Sequence, residues 1–471
     1  MRLLCVTVWL LPAALALVPG AGTGTRAGTG TGTAGTGTWV PITSIAGLGA
    51  ESPQSVEVCG ERLVVWKSGG EDEFSVMRDV CSHRQAPLSE GRVDPLTKCL
   101  ECPYHGVQFD SKGSCTKIPQ MEAGVAIPKA ANVASFPTRL TGDMLWARLD
   151  LPGQQYPTPP DELFPVLLNA TRFTTRDLPY SLDYLLENFM DPAHIPFAHH
   201  SLQGVRSDGS PIPMTPLEAS PGKVEVGYSD VIRGRPREGI VSFVPPLYYH
   251  FRARRGGAEA GAAAGAMRMM LLALCVPVRP GWSRIHLALA PGAKLPIPRW
   301  LLHRFSNDFL DTDLWLHDQE RVGRGLGGNS LLQGQQHADK SPSLGDYVMP
   351  TSSDVGVKSW RRWWGEHMQR HPIFGEQPSA SLPLVPKEQQ LDRWQAHAVH
   401  CSACRGALRN ARAARRALPF AALALAAAAA FVWARVVVVA AAALLDYALA
   451  WVERGVLGPE RGERVSAARL P

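Results

Sequence analysis

The chain has 471 residues, 45% of them hydrophobic and 19% charged, with 48 basic against 42 acidic side chains. That is room for two or three domains with real cores, and it excludes a disordered chain. A net charge of +6 at this length is no nucleic-acid footprint unless one face concentrates it, and nine unevenly placed cysteines are too few for a disulfide scaffold.

The first 18 residues are one basic residue followed by an apolar run, the length and flank of a secretory h-region. Residues 19–38 are a Gly/Thr/Ala-rich tract with one Arg and no acid, extended by composition. The pair reads as bipartite targeting into a plastid, or as simple secretion with a low-complexity start to the mature chain.

Residues 39–150 are strand-like, with Leu63-Val64-Val65-Trp66 and Phe74-Ser75-Val76-Met77 broken by Gly-rich turns. Inside this region Cys81-Ser82-His83 and Cys102-Pro103-Tyr104-His105 form a C-x-H, eighteen residues, C-x-x-H pair. Each half supplies one Cys and one His, so one iron can take both thiolates and the other both imidazoles, which is Rieske ligation of a [2Fe–2S] cluster. Zinc knuckles usually segregate the two residue types. Gly91, Gly106 and Gly113 permit the turns that bring two loop tips together. Cys99, Cys59 and Cys115 read as small buried side chains. Neither loop has an additional Cys to bridge them, so the cluster reads as low-potential.

Residues 165–370 mix helical and strand periods and form a second domain. Here His194 and His199 are five apart, about 140° apart on an unbroken helix, so they need a turn to converge. Pro196 disfavours a helical Ile195 and supplies that turn. Asp191 and His194, three apart, share a face. Two histidines and one carboxylate make the facial triad of mononuclear non-haem Fe(II).

Residues 371–417 are a basic linker with Arg405, Arg409, Arg412, Arg415 and Arg416, and with Cys401-Ser402-Ala403-Cys404, a C-x-x-C that reads as redox or metal. Residues 418–452 are apolar except for Arg435 and Asp446, and form one or two transmembrane spans. The absence of Gly or Pro near Arg435 favours a single span centred near residues 419–440. The positive-inside rule puts the globular part on the cytosol-equivalent side. Residues 453–471 are a tail.

These motifs resemble the pheophorbide a oxygenase family of Rieske-type non-haem iron oxygenases, which also takes in chlorophyllide a oxygenase and the translocon-associated Rieske protein of the inner chloroplast envelope. The matching segments are residues 81–91, 102–106, 113–115 and 118–120, then 187–194 and 196–199, and Tyr347 to Ser352 with Ser359 to Trp363. Ser82 and Val107 depart from the family's usual Pro and Trp. The resemblance implies an α+β architecture, with an antiparallel β Rieske domain followed by a helix-grip (START-like) catalytic domain. It implies an oxidoreductase that uses ferredoxin-derived electrons and dioxygen on a chlorophyll-derived tetrapyrrole. It places the third iron ligand in a helix from Asn307 to Val322. Asp313 fits best, with Asp318 as the later acid of the pattern and Asp308 and Asp311 as competitors. It further implies a homotrimer in a plastid inner envelope or thylakoid, with the iron domains in the stroma. There Asp191 connects a cluster histidine of one subunit, His83 or His105, to His194 of the next, and Cys401 and Cys404 form a thioredoxin-sensitive dithiol. Two alternatives stay open: the same chemistry on another hydrophobic ring such as a sterol, or a non-catalytic Rieske protein.

Overall fold

The computed structural model describes residues 37–458 apart from 49–51, 71, 123, 171, 257–265, 290–296, 325–343, 376–381, 383 and 429–430. The segment read as a targeting signal lies outside them.

The strands predicted at 63–66 and 74–77 form as Glu61–Lys67 and Phe74–Arg78, in an antiparallel sheet with Gln54–Val58 and Ser135–Phe136. Leu63, Val64, Val65 and Trp66 are all buried because this sheet is covered on both faces. Leu63 and Val65 join the main core, whereas Val64 and Trp66 point into a smaller core under the Cys/His loops. A second sheet pairs Met144–Leu149 with Thr38–Ser44 and Thr138–Thr141, and four short strands between Arg92 and Lys117 carry the second loop.

The second domain is built on a seven-stranded antiparallel sheet. Its spatial order is Thr174–Leu178, Trp282–Leu289, Arg268–Arg279, Tyr248–Arg255, Arg235–Val244, Lys223–Ile232 and Met214–Ser220. The helix Val355–His367 packs on the last two strands, burying Trp360, Trp363 and Trp364, with two of the rings edge-on to Phe243. The helix Leu182–Phe189 lies on Arg268–Arg279. The architecture is α+β, as expected. The two domains share the main core, and the Cys59 and Gly60 amides donate to the Pro277 and Val278 carbonyls at 2.7 and 2.8 Å.

A buried ionic network ties these helices together. Arg324 meets Asp183 at 3.2 Å and Glu320 at 3.0 Å; Arg361 meets Asp183 at 3.1 Å and also pairs with Glu187, which Tyr347 contacts at 3.3 Å. Breaking one partner of a buried pair leaves an uncompensated charge, at a cost of about 3–5 kcal/mol. Arg361→Met is therefore expected to destabilise the chain by about that much, read from its denaturant midpoint.

The C-terminal apolar region differs from the single span centred near 419–440. Phe431 is extended, and the chain forms two helices, Ser402–Ala428 and Val432–Leu457. They pack as an antiparallel hairpin in which Arg415 bonds Asp446 at 2.8 Å and Glu453 at 3.2 Å. Less exposed alanines (Ala422 and Ala426 on the first arm, Ala434 and Ala442 on the second) form stripes along the two helices, so the backbones can approach without a Gly/Pro turn signal. The outward residues are exposed, Phe420 at 76% and Trp433 at 68%. Among the described residues, Val432–Leu457 alone is long and apolar enough to cross a membrane.

Candidate active site and metal centres

The two Cys/His loops have the same backbone. Cys81 N–H donates to Ala86 O at 2.8 Å and Gln85 N–H to Cys81 O at 2.9 Å; Cys102 N–H donates to Val107 O at 2.8 Å and Gly106 N–H to Cys102 O at 3.1 Å. The fourth residue after each Cys is left-handed, Gln85 at φ +59° and Gly106 at φ +69°. Gly91 serves differently: its φ is −85°, and a Cβ there would sit 2.1 Å from the Glu101 carbonyl oxygen. Both thiols are buried in the smaller core, whereas the His83 and His105 rings meet at the rim with centroids 4.7 Å apart. Desolvation, then the neighbouring His83 and Arg84, lowers the His105 pKa and favours the neutral imidazole that ligates metal. Burial raises the Cys81 thiol to about 11 without a metal. Paired sulfur donors inside and paired nitrogen donors outside fit a Rieske cluster.

The two departures from the family pattern are accommodated. Ser82 donates to the Ala131 carbonyl at 2.6 Å, and Val107 is buried beneath the loop. Cys99 is buried at a strand start, where the Thr116 hydroxyl lies 3.6 Å from its sulfur.

The second constellation converges by a route the proline argument did not give. Pro192–His194 is a 3₁₀ turn, followed by one α-turn, Ile195–Ala198, in which Ile195 is helical (φ −54°, ψ −47°). Pro196 sits in the first turn, where its missing N–H costs nothing. The change from one helix type to the other, ending at His199, brings the imidazoles together: their Nε2 atoms lie 3.2 Å apart. His194 Nδ1 hydrogen-bonds the Asp191 carbonyl, and His199 Nδ1 lies 2.8 Å from Thr312 Oγ1, which donates to Phe309 O at 2.6 Å. With each Nδ1 carrying the proton, both Nε2 lone pairs face one point.

Asp313 completes that point. Its Oδ2 lies 3.4 Å from His199 Nε2 and accepts from Asn188 Nδ2 at 3.1 Å, while Oδ1 is buried without a partner. An orphaned carboxylate oxygen beside two bare imidazole nitrogens is a donor set that fits Fe(II). Burial raises the Asp313 pKa to about 6, and burial together with His194 lowers that of His199 well below the ordinary histidine range.

The expected helix from Asn307 to Val322 is interrupted. Arg299–Asp311 ends before Thr312, and the next helix is Leu316–Gly323, so Thr312 and Asp313 both turn inward from the break. The competing acids are otherwise occupied. Asp311 pairs with Arg176 at 2.5 Å and Arg393 at 2.6 Å, Asp308 pairs with Arg393 at 2.7 Å, and Asp318 is exposed.

Asp191 stands beside the triad, half-buried. Its Oδ1 accepts from the Ala193 amide at 2.8 Å and its Oδ2 lies 3.9 Å from His194 Nδ1. Cys401 and Cys404 belong to a separate buried cluster.

Three contributors carried no assigned role in the sequence: Asn188, Thr312 and Phe309, whose ring stacks on His199 at 3.6 Å. Their signal was proximity to a ligand in the chain, which is weak by itself. Thr312→Val should free the His199 ring and weaken iron binding about 10- to 100-fold, measured by titrating Fe(II) into the chelated protein.

A cavity of about 60 Å³ opens at the triad, walled by Tyr249, Phe251, Leu271 and Val241 from the sheet. That is room for a few waters.

Residues 38–137 match the family described as Rieske [2Fe-2S] domain, and residues 243–329 match the one described as Pheophorbide a oxygenase. The chain is 32% identical over 399 residues to a chloroplastic pheophorbide a oxygenase of Oryza sativa subsp. japonica, covering 78% of this chain and 72% of that protein. It is 30% identical over 453 residues to chloroplastic flavonoid 8-hydroxylase 2 of Ocimum basilicum, covering 88% and 82%. Among solved structures it shares the fold of dicamba monooxygenase bound to dicamba, with a TM-score of 0.52 and 15% identity over 70% of this chain and 96% of that one.

Proposed function

Because the chain belongs to the pheophorbide a oxygenase family of Rieske-type oxygenases, and so is an oxidoreductase with a [2Fe–2S] cluster and a mononuclear iron, we propose that it oxygenates a chlorophyll-derived tetrapyrrole of the pheophorbide a or chlorophyllide a type. The observation that carries an oxygenase over a plain electron carrier is the convergence of His194, His199 and Asp313. An electron carrier has no use for a second iron site.

In this reading Cys81 and Cys102 would hold one cluster iron, His83 and His105 the other, and His194, His199 and Asp313 the mononuclear iron. When bound, that iron supplies open positions for activating dioxygen. The protein does the rest. Asp191 and Thr312 fix the two imidazole tautomers, Asn188 holds the carboxylate, and Tyr249, Phe251, Leu271 and Val241 line the reacting centre with largely apolar surface.

A ferredoxin partner would supply electrons, and His83 and His105 would present the exposed edge of the bound cluster to it. In a homotrimer that rim, flanked by Tyr104 at 59% exposure, faces the Asp191 side of a neighbouring subunit. Asp191 then links the two centres.

The cavity does not hold a whole macrocycle, so the pigment presents one edge to the iron. The exposed apolar hairpin anchors the chain in a plastid membrane with both iron domains in the stroma, where lipid-borne pigment reaches it. The likeness to the flavonoid hydroxylase favours a second reading, the same chemistry on another apolar ring.

The test is to reduce the chain anaerobically, offer it pheophorbide a, chlorophyllide a, a flavone and a sterol separately, and admit oxygen. Substrate-dependent cluster reoxidation with a tetrapyrrole alone is expected. A response to the flavone or sterol alone would transfer the assignment to the second reading. Silence with all four would leave a non-catalytic Rieske protein.

A further inference from the structure

Four buried side chains outside both iron centres meet at the base of the hairpin. Cys401 directly precedes the helix Ser402–Ala428, Cys404 lies in its first turn, His397 comes shortly before, and His303 lies in the helix Arg299–Asp311. Cys401 Sγ is 3.3 Å and Cys404 Sγ 3.5 Å from His303 Nδ1, and His397 Nε2 is 3.2 Å from Cys404 Sγ. All four donor atoms lie within 4.8 Å of one another, and no residue of the group is more than 8% exposed. We propose that these residues form a tetrahedral Cys₂His₂ zinc site that clamps the hairpin to the catalytic domain.

The distances are those of tetrahedral edges. Zn–S bonds of about 2.3 Å and Zn–N bonds of about 2.0–2.1 Å at the tetrahedral angle put neighbouring sulfur and nitrogen about 3.5 Å apart.

Thiol protons could bond the group pairwise, Cys401 to His303 Nδ1 and Cys404 to His397 Nε2, but that leaves the 3.5 Å approach of Cys404 to His303 Nδ1 unused, whereas one cation draws all four atoms to a common point. His303 Nδ1 has either one proton or one lone pair, so it can satisfy only one of the two sulfurs that reach it. His397 Nδ1 is held by the Thr175 carbonyl at 2.5 Å, which fixes the proton there and turns a bare Nε2 lone pair toward Cys404. A Cys401–Cys404 disulfide fares worse, because it has no S–H to offer either imidazole. A divalent cation with two thiolates and two neutral imidazoles takes all four inward-facing donor atoms and leaves the buried group with no net charge, with His303 Nε2 the one ring nitrogen of the group left without a partner. Mixed thiolate and imidazole ligation in four-coordinate geometry selects zinc.

The site joins segments far apart in sequence. His303 lies on the helix whose end presents Thr312 and Asp313, while Cys404 lies on the first arm of the hairpin and Cys401 directly before it. The metal therefore fixes the anchor to the scaffold of the iron site and makes the C-x-x-C a closed structural centre.

The test uses the full chain purified in detergent from zinc-replete cells. Elemental analysis should give one zinc per chain besides the iron. Growth in Co²⁺ should replace it with cobalt showing intense d–d bands and thiolate-to-cobalt charge transfer of a tetrahedral S₂N₂ site. Cys401 and Cys404 should resist alkylation until a chelator removes the metal. Cys404→Ser and His397→Gln should each lower zinc at least tenfold while keeping the Rieske spectrum. If either variant fails to fold, the wild-type cobalt spectrum decides. A wild-type chain that carries less than a tenth of a zinc and takes up no Co²⁺ would overturn the proposal. So would a Cys401–Cys404 disulfide isolated from zinc-replete cells, which would instead support the thioredoxin-sensitive dithiol. Neither result bears on the oxygenase reading, which the Rieske spectrum and the substrate panel test separately.

Discussion

Asp313→Asn should abolish turnover, by at least about a thousandfold, and empty the mononuclear site while leaving the cluster spectrum intact. It should also reveal a stability cost borne by the parent. Burial raises this carboxyl from 3.8 to about 6, with only partial relief from His194 and Asn188. Between those values the metal-free fold binds more protons than the unfolded chain, so stability is lost as pH rises from about 4 through about 6, by about 3 kcal/mol in all. An amide cannot ionise. The chelated Asp313→Asn variant should therefore match the chelated parent near pH 4 and exceed it at pH 7, as measured by denaturant unfolding at both values. Iron retained at the parent's stoichiometry would remove Asp313 from the ligand set.

Asp191→Asn should separate wiring from ligation. The Asn side chain can still accept from the Ala193 amide, and the Asp191 carbonyl that orients His194 is untouched, so both metals should stay. The charge near His194 Nδ1 is lost. Turnover should fall about 100-fold. Rapid-mixing spectroscopy should show a cluster that ferredoxin still reduces, beside a mononuclear iron that stays oxidised on the catalytic timescale. Loss of the mononuclear iron would make Asp191 a ligand.

What could be read from the sequence tracks how locally each feature is determined. The two Cys/His loops were legible because each Cys and its His belong to one short segment, whose backbone requirement also shows as Gly106. The strands around Leu63 and Val76 were legible as continuous apolar runs, though only the fold reveals that alternate residues feed two cores. His194 and His199 were found by spacing, but the wrong device was credited for bending the chain between them, since Ile195 is helical. Asp313 stood out by resemblance, not by residue pattern. The break that exposes it holds neither Gly nor Pro, and the competing acids Asp308 and Asp311 are removed by Arg393 and Arg176 from remote segments. The Cys₂His₂ group was invisible beyond its C-x-x-C half, because His303 lies 98 residues from Cys401. Of one span or two, the sequence favoured one, because alanine stripes and the Arg415 ion pairs, not a turn motif, hold the two arms together.

In the membrane-anchored state proposed above, the hairpin would also set what must cross a bilayer. From the Arg415–Asp446 pair to the turn, the arms measure about 20 Å at 1.5 Å per residue, short of the roughly 30 Å hydrocarbon core. The chain then returns. Val456 is buried against Leu408, and Gly458 lies against the Leu391 carbonyl of the catalytic body. An anchor of that form would keep the described residues on both sides of the hairpin on one face of the bilayer. Arg435 is the one basic residue between Phe420 and Asp446, and in that state it would be carried to depth. Insertion of such an anchor would be a wedge driven from one leaflet, open to a chain whose two domains have already folded.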